Sequence, residues 1–135
     1  MSELPDRIAE VFRGRTLFIS GATGFIGKTL VEKLLRVCDV RKIYILIRGK
    51  KGKSPNDRFQ DIFNNFKCVP IVGDVTEIDL GLSKEDRETL QNEVEFIYHC
   101  AATTRFDDTL KNAIIINTRG TKFMLDLAEE CTHLK

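Results

Sequence analysis

Gly21, Gly24 and Gly27 recur at every third position, where one hydrophobic period gives way to another. Before them, Thr16–Ser20 is rich in β-formers and reads as a strand. After them, Ile26, Leu30, Val31, Leu34 and Leu35 fall on one helical face. A strand that passes through three glycines into an amphipathic helix has a specific physical use. The first glycine lets the backbone turn sharply off the strand. The second removes a Cβ where a ligand must approach, and the third lets the helix pack closely. The helix N-terminus then presents unpaired N–H groups and the positive end of its dipole, which suits a phosphate.

The alternation continues along the chain. Residues 43–47 form an unbroken apolar run between Arg41-Lys42 and Arg48-Gly49, as expected of a second strand buried on both faces of a parallel sheet. Residues 50–55 read as a basic loop, 58–66 as a short helix, and 69–72 as strand three, closed by Gly73-Asp74. Ser83 caps a helix running through Leu90. Residues 94–99 form strand four. Asp107 or Asp108 caps a long last helix carrying Leu110, Ala113, Ile114, Asn117, Met124, Leu127 and Ala128. Residues 1–13 form an N-terminal segment with a short helix over 4–12, and 14–135 form one domain.

Strands alternating with helices predict an α/β fold, a doubly wound parallel sheet of the Rossmann type. Right-handed crossovers give strand order 3-2-1-4. The chain stops after the helix that follows strand four, so the second half of the sheet is expected to be missing. Strand four is then an unpaired apolar edge that invites aggregation.

Several function classes are excluded by composition. A net charge of +1 gives no electrostatic case for nucleic acid or an anionic membrane. The N-terminus lacks the basic region and apolar run of a signal peptide. Apolar runs such as 43–47 and 113–116 are too short to cross a bilayer. The four cysteines, Cys38, Cys68, Cys100 and Cys131, are dispersed with no Cys-x-x-Cys pair. They predict reduced thiols in a cytosolic-facing protein rather than a disulfide framework. His99 and His133 are too far apart in the sequence to predict a metal cluster. His99 and Cys100 are neighbours on a strand, so they should face opposite ways.

The strand-turn-helix context makes the glycine run a dinucleotide-binding turn. A competing reading takes Ala22 to Thr29 as a nucleoside triphosphate loop, Ala-x-x-x-x-Gly-Lys-Thr. That loop needs glycine where Ala22 stands, and it needs Lys28 at the phosphates. The choice of cofactor turns on the end of strand two. An acidic residue there binds the ribose of NADH, whereas arginine accommodates the 2′-phosphate of NADPH. No acidic residue occurs between Val40 and Ser54, and Arg48 occupies the position, followed by Lys50, Lys51 and Lys53. NADPH is therefore expected.

The glycine spacing, Gly-x-x-Gly-x-x-Gly, resembles the extended branch of the short-chain dehydrogenase/reductases. Further blocks narrow the resemblance. They are Thr23-Gly24-Phe25-Ile26-Gly27-Lys28, residues 43–52, Pro70-Ile71-Val72-Gly73-Asp74-Val75, Leu80-Gly81-Leu82-Ser83, residues 98–106, and Asn117-Thr118-Arg119-Gly120-Thr121. In this order they resemble the N-terminal part of the eukaryotic alcohol-forming fatty acyl-CoA reductases, from about Gly14 onward.

The resemblance implies NADPH-dependent reduction of long-chain acyl-CoA to primary fatty alcohol. It implies a cofactor held by Gly21, Thr23, Gly24, Phe25, Ile26, Gly27 and Arg48. Asp74 and Val75 would border the adenine, and Ala101 and Ala102 would line the cofactor beyond strand four. Asn117 would support a proton relay, or would simply make a helix-capping or core hydrogen bond. The full-length family is associated with peroxisomal or endoplasmic reticulum membranes. Two departures stand out. The family has a longer stretch, with an added helical segment, between the Arg58-Phe59 region and Pro70. The chain also ends before the expected catalytic serine and Tyr-x-x-x-Lys pair, so little reductase activity is expected from it alone. The alternatives are a non-catalytic nucleotide-binding or regulatory module, or another extended reductase or epimerase.

Overall fold

The computed structural model describes residues 6–135. Helix α1 is Arg7–Phe12, and the Asp6 carboxylate accepts from the N–H groups of Ile8 and Ala9 at 3.0 and 3.1 Å. Positions 4 and 5 of the expected first helix lie outside the described residues. Strand β1 is Thr16–Ser20, α2 is Phe25–Val37 and β2 is Lys42–Ile47. Helix α3 is Pro55–Ile62, β3 is Cys68–Val72, α4 is Lys84–Glu93 and β4 is Phe96–His99. The four strands make one parallel sheet in the order β3-β2-β1-β4, as expected.

The apolar runs explain the layering, because alternate side chains of a strand point to opposite faces. Leu17, Ile19, Ile43, Ile45 and Ile47 pack on one face against Phe12, Val31, Leu34, Phe59 and Phe63 of the α1–α3 side. Phe18, Tyr44, Leu46 and Ile71 pack on the other against Leu80, Leu90, Val94, Met124 and Leu127. Leu17, Phe18 and Ile19 have no exposed surface at all, so β1 is the centre of the domain. By contrast, β4 pairs only with β1 among the described residues, and its four residues are half-buried.

Three sequence expectations shift. The helix after β2 covers Pro55–Ile62 rather than 58–66. Ser54 caps it by accepting from the Asp57 N–H at 3.1 Å, and Pro55 occupies the first turn, where its missing N–H costs nothing. Ile26 does not share the buried face of α2 but is 70% exposed, because the first turn of α2 stands beyond the end of β1. The last helix is capped by Thr109, which accepts from the Asn112 N–H at 3.2 Å, not by Asp107 or Asp108. That helix is also interrupted. Helix α5, Leu110–Ala113, runs into a π-helical turn, Ile114–Arg119, before α6, Gly120–Glu130. Leu110 and Ile114 are exposed, whereas Met124 and Leu127 of α6 enter the core.

Candidate cofactor site

Because the sheet is parallel, the loops after all four strands meet at its C-terminal edge. They enclose a cleft of about 540 Å³. Among the residues expected to hold a cofactor, Gly21, Thr23, Gly24, Arg48, Asp74, Val75, Ala101 and Ala102 line it. Phe25, Ile26, Gly27 and Asn117 do not. Phe25 is 88% exposed at the start of α2, and Gly27 is buried beneath the turn.

The three glycines have different physical reasons. Gly21 has φ of +70°, and a Cβ there would come within 2.4 Å of the Ala101 nitrogen at the end of β4. A Cβ on Gly27 would come within 2.2 Å of the Gly21 carbonyl oxygen, so this glycine admits the turn itself onto the helix. Gly24 has neither constraint. Its φ is −84°, and a Cβ would lie 3.4 Å from the nearest atom, an ordinary contact. Nothing within the protein's own packing requires glycine at position 24, and Gly24 lines the cleft. This is the cradle a pyrophosphate needs at a helix N-terminus, and the residues present fit a dinucleotide.

Lys28 lines a different groove, between α2 and the segment after α3, and is absent from the cleft. The triphosphate-loop reading requires this lysine at the phosphates, so the geometry excludes it.

At the end of β2 the cleft is cationic. Arg48, Lys50 and Arg58 all line it. The Arg58 guanidinium donates to the Arg48 carbonyl oxygen at 2.5 Å and to the Thr23 hydroxyl at 3.4 Å. It thereby ties α3 to both the end of β2 and the glycine turn. Sequence reasoning passed over Arg58 because a position ten residues beyond Arg48, inside a helix, carries no local signal. Arg48 reaches Asp74 at 3.6 Å. Asp74 is itself fixed, since its other carboxylate oxygen accepts from the N–H and hydroxyl of Thr76 at 2.9 and 2.8 Å.

The π-helical turn forms the back of the site. Arg119 donates to the Thr76 carbonyl oxygen at 2.5 Å, and Gly120 packs on Val75, where a Cβ would lie 3.1 Å from the Val75 oxygen. Asn117 accepts from the Thr103 N–H at 2.9 Å and donates to the Thr103 carbonyl oxygen at 3.0 Å. This single amide therefore clamps the backbone of the loop that follows β4.

His99 shows a second use of the β4 end. Its Nδ1 lies 2.6 Å from the hydroxyl of the fully buried Ser20. The Ser20 oxygen also accepts from the Ala101 N–H at 3.4 Å, and His99 Nε2 is enclosed without a hydrogen-bond partner. Burial lowers the His99 pKa. A base with a depressed folded pKa contributes stability that is complete above its ordinary pKa, near 6.5, and lost as pH falls through the folded value. The melting temperature is therefore expected to decline as pH falls below about 6.5. His99→Gln should flatten that decline in thermal unfolding followed by circular dichroism. An unchanged slope in the variant would show that other groups set it.

The parallel sheet, glycine turn and enclosing loops together define a dinucleotide-binding reductase domain of the short-chain type. Residues 19–135 match the NAD-binding family described as male sterility protein, and the chain belongs to that family. It is 43% identical to the fatty acyl-CoA reductase wat of Drosophila melanogaster, over 92% of this chain and 27% of the relative. It is 38% identical to fatty acyl-CoA reductase 1 of Gallus gallus, over 95% of this chain and 28% of the relative. Among solved structures it resembles the terminal R domain of the myxalamid biosynthetic pathway, with a TM-score of 0.75 and 32% identity over 90% of this chain and 33% of that one. The chain thus spans a little over a quarter of these curated relatives. The Gallus alignment runs over 143 residues, more than the 135 of this chain, so the relative carries residues that this chain lacks.

Proposed function

We propose that this chain is the NADPH-holding part of a fatty acyl-CoA reductase that converts long-chain acyl-CoA to a primary fatty alcohol. The observation that carries the reading is Gly24, a glycine the protein's own packing does not require, placed at a helix N-terminus inside the cleft. The names of the relatives support the acyl-CoA substrate. The preference for NADPH rests on Arg48, Lys50 and Arg58 together, with no acidic residue in the sequence between Val40 and Ser54; the carboxylate that reaches Arg48 is Asp74, from beyond β3. In the family setting the complete protein acts at a peroxisomal or endoplasmic reticulum membrane. No described helix is long and apolar enough to cross one.

When bound, NADPH supplies a hydride for the carbonyl carbon. The residues of this chain bind and orient. The turn at Gly21–Gly24 and the N-terminus of α2 receive the pyrophosphate. Arg48, joined by Arg58 and Lys50, receives the 2′-phosphate through charge-assisted hydrogen bonds. Asp74 and Val75 border the adenine. Ala101 and Ala102, small residues on a loop that Asn117 pins at Thr103, leave room for the ribose and nicotinamide. Asn117 acts in this reading through the loop it holds.

Neither tyrosine of the chain lines the cleft. The Tyr44 hydroxyl donates to Glu93 at 2.5 Å, and Tyr98 stacks near Phe12 on the α1 side. The proposed role is therefore to hold the cofactor, with proton donation falling to residues other than these.

Gly24→Val tests the assignment. Its side chain projects into the cleft, so NADPH affinity should fall at least about tenfold, a loss of roughly 1.4 kcal/mol. Folding stability should change by no more than about 1 kcal/mol, the scale of a helix-cap substitution. Calorimetric titration and thermal unfolding read the two effects separately, and undiminished binding would remove the cofactor from this turn.

A further inference from the structure

The order β3-β2-β1-β4 sets the loops after β3 and β4 at the two outer strands of the sheet. Residues 73–76 of the first loop and 100–105 of the second line the cleft. The π-helical turn Ile114–Arg119 is bonded to both. Its last residues are followed by the Gly120 N–H, which donates to the Ile115 carbonyl oxygen five residues back. Such turns are rare within helices and recur at functional sites.

Positions two apart on a helix do not face the same way. Asn117 reaches one loop, where its amide holds Thr103. Arg119 reaches the other. Its guanidinium lies over the Phe123 ring, 5.8 Å from the centroid, and donates to the Thr76 carbonyl oxygen at 2.5 Å. From Thr76 the contacts continue into the site. The Thr76 N–H and hydroxyl hold one carboxylate oxygen of Asp74, and the other lies 3.6 Å from Arg48. Gly120 seats the turn on Val75 of the same loop.

We propose that Arg119 is a positioning residue for the 2′-phosphate end of the cofactor, acting through Thr76, Asp74 and Arg48. This role rests on the cofactor reading above. Arg119 itself does not line the cleft. It fixes the loop whose carboxylate aims Arg48, and a binding group keeps its geometry only when the side chains behind it are held by hydrogen bonds. Asn117 sets the opposite wall, beside Ala101 and Ala102. Two residues of one turn thus control the two ends of the cofactor separately.

Two probes of the full chain separate the ends. Adenosine 2′,5′-bisphosphate, titrated calorimetrically, reads the 2′-phosphate end. The emission of NADPH at saturation reads the surroundings of the nicotinamide. Arg119→Met keeps an apolar stem near Phe123 but removes the donor. It should weaken bisphosphate binding about tenfold and leave the NADPH emission maximum unchanged. Arg119→Lys, a donor of shorter reach, should lose less, about threefold. Asn117→Ala should do the reverse, with wild-type bisphosphate affinity and altered emission. Hydrogen exchange of the ligand-free chain reads the same loops, and Arg119→Met should speed it in residues 74–77 but not in 101–105. Wild-type bisphosphate affinity in Arg119→Met overturns the role, as does an Arg119→Met variant that alters both signals as Asn117→Ala does. Should Arg119→Met fail to fold, wild-type affinity in Arg119→Lys overturns it instead. A wild-type chain that binds neither probe overturns the cofactor reading and this role with it, a result distinct from failure of Arg119 alone.

Discussion

Arg48→Asp is expected to lower NADPH affinity about a hundredfold and to bring NADH affinity level with it or above. Hydrogen bonds to charged groups are worth about 1.5–3 kcal/mol each, so the loss of a guanidinium from a phosphate costs around 3 kcal/mol, or two powers of ten. The substituted carboxylate also repels the 2′-phosphate. It would stand beside Asp74, which lies 3.6 Å from Arg48, so two anions would share the end of β2. For NADH the sign reverses, because the same carboxylate can accept from a free ribose 2′-hydroxyl. Titration of wild type and variant with both cofactors gives the four affinities needed. Equal or tighter NADPH binding by the variant would remove Arg48 from the site and leave Arg58 and Lys50 as the phosphate cations.

Gly21→Ala should cause a large loss of stability for the addition of a single methyl group. Two costs combine. A left-handed backbone costs an L-residue roughly 1–2 kcal/mol, and Gly21 has φ of +70°. The added carbon would also lie 2.4 Å from the Ala101 nitrogen and 2.5 Å from the Cys100 carbonyl carbon, both backbone atoms that cannot rotate away. Overpacking of this kind costs about 1–3 kcal/mol more. A total near 3 kcal/mol is a large share of the roughly 5–15 kcal/mol that holds a domain together. Thermal unfolding should show a fall of about 10 °C. The contrast with Gly24 is the decisive part. If Gly21→Ala and Gly24→Val destabilise equally, the division of labour within the turn is wrong.

These two experiments probe different layers of the molecule, and the layers were not equally legible. The strand order could be read because the apolar runs are continuous in β1 and β2 and because crossovers have a fixed hand. Gly21, Gly24 and Arg48 could be read because a strand-turn-helix unit fixes their places locally. The cap of α5 is not legible locally, because Thr109 competes with the adjacent carboxylates of Asp107 and Asp108, and which side chain reaches the open N–H groups is settled by backbone direction.

The sequence by itself determined that the chain alternates strand and helix, that a glycine turn joins β1 to α2, and that a cation rather than a carboxylate ends β2. Those are consequences of period, spacing and residue type within a few positions. Only the tertiary structure decided that Arg58 joins Arg48, that Asn117 clamps Thr103 across 14 residues, and that Lys28 lines a groove away from the cleft. Each of those joins groups from different elements, and their meeting follows from how helices seat on the sheet, which no local pattern encodes.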